Sequence, residues 1–519
     1  MATVEATRPE ARCMPARPVR WRHTGWIDYQ ASQVPDKTAI ADLSTGLRRT
    51  YGEIADRVAR LAGHLTELGI ERGDRVAVLS HNNPNVFELL YACASVGAIL
   101  VPMNWRLSVH ELCAIADDFD PAAVFFDEEN RNAVQALLKN RAMPVVRWGG
   151  DADAYEVALA ASTPRAALTT LDENEPWLII YTSGTTGLPK GAVHTFRSVR
   201  ANIENSAFAG HVDSSSVVLS VLPTFHVAGL HLYANAALMH GGSVLMTRGF
   251  DAAQTLQLFA DDERAITHFC GVPAMFQFMS ALPEFDEIQL RPITVSVGGS
   301  PVPAAMIRKW SRSGVRMSPV YGATEAGSTL LTMPVNADSA KGVGIPAIHA
   351  EASVRTASGE PTEQGEVGEL WLRGPMTMLG YWGRPEETEK AITPDGWFRT
   401  GDAARCDENG IYHIVDRWKD MYISGGENVY PAEIENVLYQ HPDIVLASVI
   451  GVDNEKWGEV GHAFVVCAAG RAIDPDELRS WCRERLAPFK VPASFSFRKD
   501  LPRNATGKIL KSELRSGVA

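Results

Sequence analysis

Residues 181–191 read Tyr181-Thr182-Ser183-Gly184-Thr185-Thr186-Gly187-Leu188-Pro189-Lys190-Gly191, and the chain is organised around them. They follow Trp177-Leu178-Ile179-Ile180, a short apolar run after Pro176 that reads as a buried strand. Glycines let the backbone turn tightly and approach a ligand without Cβ collisions. The hydroxyls of Thr182, Ser183, Thr185 and Thr186 crowd the same turn with Lys190, and no carboxylate is among them. Donors, a bare backbone and one positive charge suit a polyphosphate. The segment is not a Walker A loop, because Pro189 stands where that motif has its second glycine.

Upstream, strand-like and helix-like patterns alternate. Thr38–Asp42 reads as a strand, and Thr50 with Glu53 has capping-box spacing at the head of an amphipathic helix running through Leu68. Residues 73–79 form a strand, 85–97 a helix, 99–102 a strand and 122–126 another. Beyond the glycine loop the pattern returns at 216–222 and 242–246. This alternation predicts a doubly wound α/β sheet. After about residue 340 short strands at 353–355, 368–373 and 411–415 are joined by Gly/Pro/Asp turns, as in a small β-barrel. A compact α+β stretch of about a hundred residues closes the chain, large enough to be its own domain. The expected division is 1–417 and 418–519.

Composition narrows the function. At 519 residues the chain needs several cores, and 45% apolar with 21% charged residues is globular composition. A net charge of −13 argues against nucleic acid or an anionic membrane as the main partner. The seven cysteines (13, 93, 113, 270, 406, 467 and 482) are scattered without a C-x-x-C pair, which predicts free thiols in a reducing compartment. No apolar run reaches membrane-spanning length; the longest, 86–102, contains Glu88 and ends at Pro102. The arginine-bearing leader is followed by no hydrophobic segment, so a secretory signal is not expected and the cytoplasm is.

Five further motifs follow the loop in order. Val297-Gly298-Gly299-Ser300-Pro301 offers bare backbone to a flat base or an acyl chain. Tyr321-Gly322-Ala323-Thr324-Glu325 gathers an aromatic ring, a hydroxyl and a carboxylate, and Thr400-Gly401-Asp402 presents a carboxylate after a tight turn. Asp416-Arg417-Trp418-Lys419-Asp420 precedes Ser424-Gly425-Gly426, and Pro502-Arg503-Asn504-Ala505-Thr506-Gly507-Lys508 comes last in sequence order. Together with the glycine loop they resemble the adenylate-forming superfamily of acyl-CoA synthetases, peptide-synthetase adenylation domains and beetle luciferases, and the resemblance covers nearly the whole chain.

That resemblance implies a large N-terminal domain of two doubly wound α/β subdomains plus the small barrel, with a mobile C-terminal lid. It places ATP against Thr182, Ser183, Gly184, Thr185, Thr186, Gly187, Lys190, Gly298, Gly299, Ser300, Tyr321, Gly322, Thr324, Asp402 and Arg417. Tyr321 packs on adenine, Thr324 touches phosphate, Asp402 and Arg417 hold the ribose, and Glu325 binds Mg2+. The catalytic groups it implies are Lys508, Thr185, Lys190 and Glu325. Lys419 becomes the hinge, with Ser424, Gly425 and Gly426 beside the pantetheine arm of coenzyme A. The implied reaction converts a carboxylate, a poor electrophile, to an acyl-adenylate whose leaving group is AMP, after which a thiol displaces AMP.

The branch is read at Leu222-Pro223-Thr224-Phe225-His226-Val227-Ala228-Gly229-Leu230. Amino-acid-activating members carry Phe-Asp there; this chain has Phe225-His226, as acyl-CoA synthetases of the fatty-acyl, coumaroyl and feruloyl type do. The resemblance therefore implies a medium- or long-chain fatty acid, or an aryl-propenoic acid, lined by His226, Val227, Ala228, Gly229, Ala323, Gly327 and Ser328. Gly229 is expected to be the smallest lining residue, at the start of a helix. Loading of a carrier protein's phosphopantetheine is the alternative within enzymes, and a non-catalytic acyl or nucleotide sensor the alternative outside them. Oligomeric state is left open, a homodimer being the form many such enzymes take.

Overall fold

Along the strand Arg75–Leu79 the side chains alternate between two cores. Val76 and Val78 face one cluster and Ala77 and Leu79 another, as a period of two requires of a sheet covered on both faces. The computed structural model describes residues 25–150, 153–168, 171–182, 189–334, 337–417, 420–424, 427–503 and 509–516. Arg75–Leu79 lies in a seven-stranded sheet ordered Gly380–Tyr381, Lys190–Thr195, Pro176–Thr182, Ile99–Pro102, Arg75–Leu79, Ala123–Asp127 and Val145–Trp148. Its pairs are parallel except at the Lys190–Thr195 edge.

A second, nine-stranded sheet holds Thr38–Asp42, Val217–Ser220, Ser243–Met246, His268–Gly271, Thr294–Gly298 and Arg316–Ala323 as its parallel centre. Val218 and Leu219 again face opposite cores. The core shared by the two sheets is filled by helices Tyr51–Glu67, Pro84–Val96, Phe196–Gly210 and Ala234–His240. Two doubly wound sheets, with helices between them and outside them, match the expected architecture. The first strand among the described residues, Thr38–Asp42, joins the second sheet, so the two subdomains are not consecutive in sequence.

Local signals hold. Thr50 caps Tyr51–Glu67 with both halves of the capping box formed. The apolar run at 86–102 becomes a wholly buried helix, Pro84–Val96, and then a strand. Its Glu88 is fully buried and takes 2.8 Å and 2.7 Å hydrogen bonds from Arg57 and the Tyr155 hydroxyl. Burying a carboxylate requires such partners. No helix among the described residues is long and apolar enough to cross a membrane.

The expected small barrel is a four-stranded antiparallel sheet, in the order Glu351–Arg355, Gly368–Arg373, Phe398–Cys406, Tyr412–Arg417. The closing stretch forms a further sheet around the long pair Ile444–Asn454 and Gly458–Cys467, backed by helices Pro431–Leu438 and Pro475–Arg483. Six cysteines lie among the described residues and all are free thiols.

Candidate active site

Gly298, Gly299 and the Thr324-Glu325-Ala326 turn sit where two parallel strands end, the usual place for a ligand in a doubly wound fold. Thr182 and Lys190 face each other in register across the last pair of strands before the loop. The loop residues Ser183, Gly184, Thr185, Thr186 and Gly187 lie outside the described residues, as do Lys419, Gly425, Gly426 and Lys508.

Thr294–Gly298 delivers Gly298 and Gly299 at its end, and a Cβ on Gly298 would stand 2.3 Å from the Val320 carbonyl oxygen of the neighbouring strand. Only a residue without a side chain fits between those backbones. Next to it, Arg316–Ala323 turns through Thr324-Glu325-Ala326 into Gly327–Thr332, with Ala323 opposite Gly327. Gly322 passes so close to the returning strand that an added Cβ would meet the Ser328 carbonyl oxygen at 2.4 Å. The tightness of this hairpin presents Thr324 and Glu325 at its tip.

Two side-chain links then tie this hairpin to the rest of the site. The Tyr321 hydroxyl donates to Asp402 at 2.6 Å. Asp402 is buried and follows Gly401, whose φ of +69° favours glycine. Its amide donates to the Thr400 hydroxyl at 3.0 Å, and it pairs in register with Arg417 on the adjacent strand. The expected ribose residues are thus brought side by side. On the other flank the Tyr381 hydroxyl donates to Glu325 at 2.9 Å, and Lys190 pairs with Glu387 while its ammonium lies 5.3 Å from the Tyr381 ring centre. Burial first, then the Glu325 charge, pushes the Tyr381 phenol up; the hydrogen bond from Lys190 pulls the Glu387 carboxyl down.

The acyl-pocket residues need correction. Gly229 does not open space for a substrate: a Cβ there would stand 2.0 Å from the Pro223 carbonyl oxygen, so the residue packs its own segment together. The expected helix start is a short π-helical turn, Ala228–Leu232. The volume beside Gly327 is filled by Asn202, whose side chain a Cβ would meet at 2.8 Å. The amide and hydroxyl of Ser328 both donate to Asn202 Oδ1 at 3.0 Å. His226, Val227, Ala228 and Ala323 stay as lining candidates. Burial pushes the His226 imidazole down to about 4, so it is neutral near pH 7.

Sequence reasoning missed the polar groups behind this wall. His194 lies beside the Thr324 backbone and is pushed down to about 4 by burial. His231 is pushed to about 3, by burial first and by His194 second. Asn235 donates to His231 Nδ1 at 2.9 Å. Tyr381 and Glu387 were also missed. The signal was Gly380-Tyr381-Trp382-Gly383-Arg384-Pro385-Glu386-Glu387, a turn-forming run carrying an aromatic hydroxyl and two carboxylates.

Comparison with known proteins fits this geometry. The family model for AMP-binding enzymes matches residues 27–382, and that for their C-terminal domain matches 433–508. The chain belongs to the AMP-binding enzyme family. Within that family it is 40% identical to feruloyl-CoA synthase of Amycolatopsis sp over 94% of this chain and 98% of that protein. It is 37% identical to the long-chain-fatty-acid–CoA ligase FadD13 of Mycobacterium tuberculosis over 95% and 98%. The structure of ATP-bound MatB from Rhodopseudomonas palustris superposes with a TM-score of 0.87 at 30% identity, covering 95% of this chain and 98% of that one. The enzyme is an acid–thiol ligase of the AMP-forming acyl-CoA synthetase branch, and the non-catalytic alternative is not favoured.

Proposed function

We propose that the enzyme activates an apolar monocarboxylic acid, a medium- or long-chain fatty acid or an aryl-propenoic acid, with MgATP and transfers the acyl group to coenzyme A. The observation that carries the substrate class is the neutral, half-covered His226 where an ammonium-bearing substrate would need a carboxylate. The feruloyl and long-chain fatty-acyl names of the two relatives support it.

In this reading the substrate carboxylate attacks the α-phosphorus, and pyrophosphate leaves. Lys190, the loop hydroxyls including Thr185, and Lys508 stabilise charge on the phosphoryl oxygens. Thr182, the backbone at Gly298, Gly299 and Ser300, Tyr321 and Thr324 bind the nucleotide, and Asp402 and Arg417 hold its ribose. Glu325 suits Mg2+: it is a hard oxygen ligand on a half-buried hairpin tip, and a site of one carboxylate leaves coordination to phosphate and water, which that ion prefers. When bound, the ion offsets the phosphate charge that repels an incoming carboxylate. Residues 1–417 and 418–519 act as two bodies hinged at Lys419, so that Lys508 serves adenylation and Ser424, Gly425 and Gly426 border the thiol's path in the second step. We place the enzyme in the cytoplasm, where free thiols persist.

A panel of acids with ATP and coenzyme A tests the substrate class. Ferulate, coumarate and C8 to C16 fatty acids should turn over. Dicarboxylates and α-amino acids should fall by about 100-fold or more in kcat/KM, since a second charge would be buried without a partner. Preferential turnover of a charged acid, or of a carrier protein over coenzyme A, would overturn the reading.

A further inference from the structure

The segment around Tyr381 is fixed against the strand that begins at Lys190, the helix Pro385–Ala391 and the Glu325 tip. Gly380 and Tyr381 pair in register with Val193 and Ala192. The Trp382 amide donates to the Gly191 carbonyl at 2.8 Å, and the Tyr381 amide to the Thr388 hydroxyl at 2.9 Å. The Met378 amide donates to the Glu325 carbonyl at 2.8 Å. Position 380 must be glycine, because its φ is +155° and a Cβ would stand 2.7 Å from Thr388. The segment therefore lies along Gly191–Val193 on one side and against the Thr324–Glu325 tip on the other, with Tyr381 between them.

Its side chain makes a different contact in each direction. The hydroxyl donates to Glu325 Oε1 at 2.9 Å, which leaves the second carboxylate oxygen to other ligands. The ring face lies 5.3 Å from the Lys190 ammonium, within cation–π range. Neither contact is needed to keep the strands paired, since the backbone bonds above do that.

We propose that Tyr381 is a positioning residue for the phosphate end of the site, its hydroxyl orienting Glu325 towards the metal and its ring holding Lys190 towards the phosphates. The proposal rests on the roles given above to Glu325 and Lys190. It predicts that the two halves of the side chain separate. Tyr381→Phe keeps the ring and loses the hydroxyl; Tyr381→Leu loses both.

The test measures binding by the full-length enzyme of α,β-methylene ATP with Mg2+, the same analogue with EDTA, and AMP, with melting temperature alongside. Tyr381→Phe should weaken the Mg2+-loaded analogue about tenfold, the scale of a hydrogen bond to a charged group. It should leave AMP, the metal-free analogue and the melting temperature as in wild type. Tyr381→Leu should in addition weaken the metal-free analogue, through Lys190. Equal weakening of AMP and the analogue would make Tyr381 merely structural and overturn the proposal, as would wild-type binding throughout. Glu325→Gln and Lys190→Ala serve as references. If they weaken the analogue and Tyr381→Phe does not, the proposal falls alone. If they too bind as wild type, the roles of Glu325 and Lys190 fall and the proposal falls with them.

Discussion

At the Asp402 end of the site a short, partly buried hydrogen bond between two sheets and a strand pairing fasten the groups, whereas at the Lys190 end ion pairs open to water hold them. Asp402 is buried, accepts from Tyr321 at 2.6 Å and lies in register with Arg417. Lys190 pairs with Glu387, and the two side chains remain 25% and 38% exposed. Arg384 pairs with Asp118 nearby, at 30% and 22%. Buried hydrogen bonds are costly to break, and exposed ion pairs are cheap to exchange. In the proposed cycle the ribose end thus stays set. The phosphate end can trade its protein counter-ion for a substrate phosphate, as a site must when pyrophosphate arrives on ATP and leaves before the second step.

Breaking the ribose end should have the largest effect. Asp402→Ala removes the ribose acceptor and strands the Tyr321 hydroxyl, so kcat/KM for ATP should fall by about 100-fold, as loss of a charged hydrogen-bond partner does. The melting temperature should fall as well. Asp402→Ala with wild-type stability would show that the Tyr321 link is not structural.

Gly229→Leu sharpens the boundary between site and scaffold. The side chain would be driven into the Pro223 backbone, so stability should drop by about 1–3 kcal/mol and all acids should lose activity by a similar factor. A loss confined to long acids would restore Gly229 to the acyl pocket. Glu387→Gln should do least: melting temperature unchanged, and affinity for ATP equal to wild type or a few-fold higher, because Lys190 no longer has a counter-ion to leave. A large fall in melting temperature would make the phosphate end as firmly wired as the ribose end.

What was legible in the sequence was local. The capping box at Thr50 and Glu53, the alternation of strands and helices, and the glycine-bearing turns each depend on neighbours a few residues apart. The architecture followed from these, except that Thr38–Asp42 crosses to the other sheet, which no local pattern encodes. The site was half legible. Tyr321 and Asp402 are legible as single motif residues, yet the bond between them joins two different sheets across 81 positions and could not be read. Glu325 was read without Tyr381, and Lys190 without Glu387. Glycines misled at the acyl pocket, since a small side chain marks close packing as readily as open space. At Gly229 and Gly327 the neighbours are Pro223 and Asn202.

The most direct measurement uses an acid labelled with 18O in its carboxylate. Incubated with ATP and coenzyme A, it should yield acyl-CoA, AMP and unlabelled pyrophosphate in equal amounts, with one carboxylate oxygen carried into each AMP. That transfer is the chemical record of an acyl-adenylate. Unlabelled AMP, or formation of ADP and phosphate in place of AMP and pyrophosphate, would contradict the account.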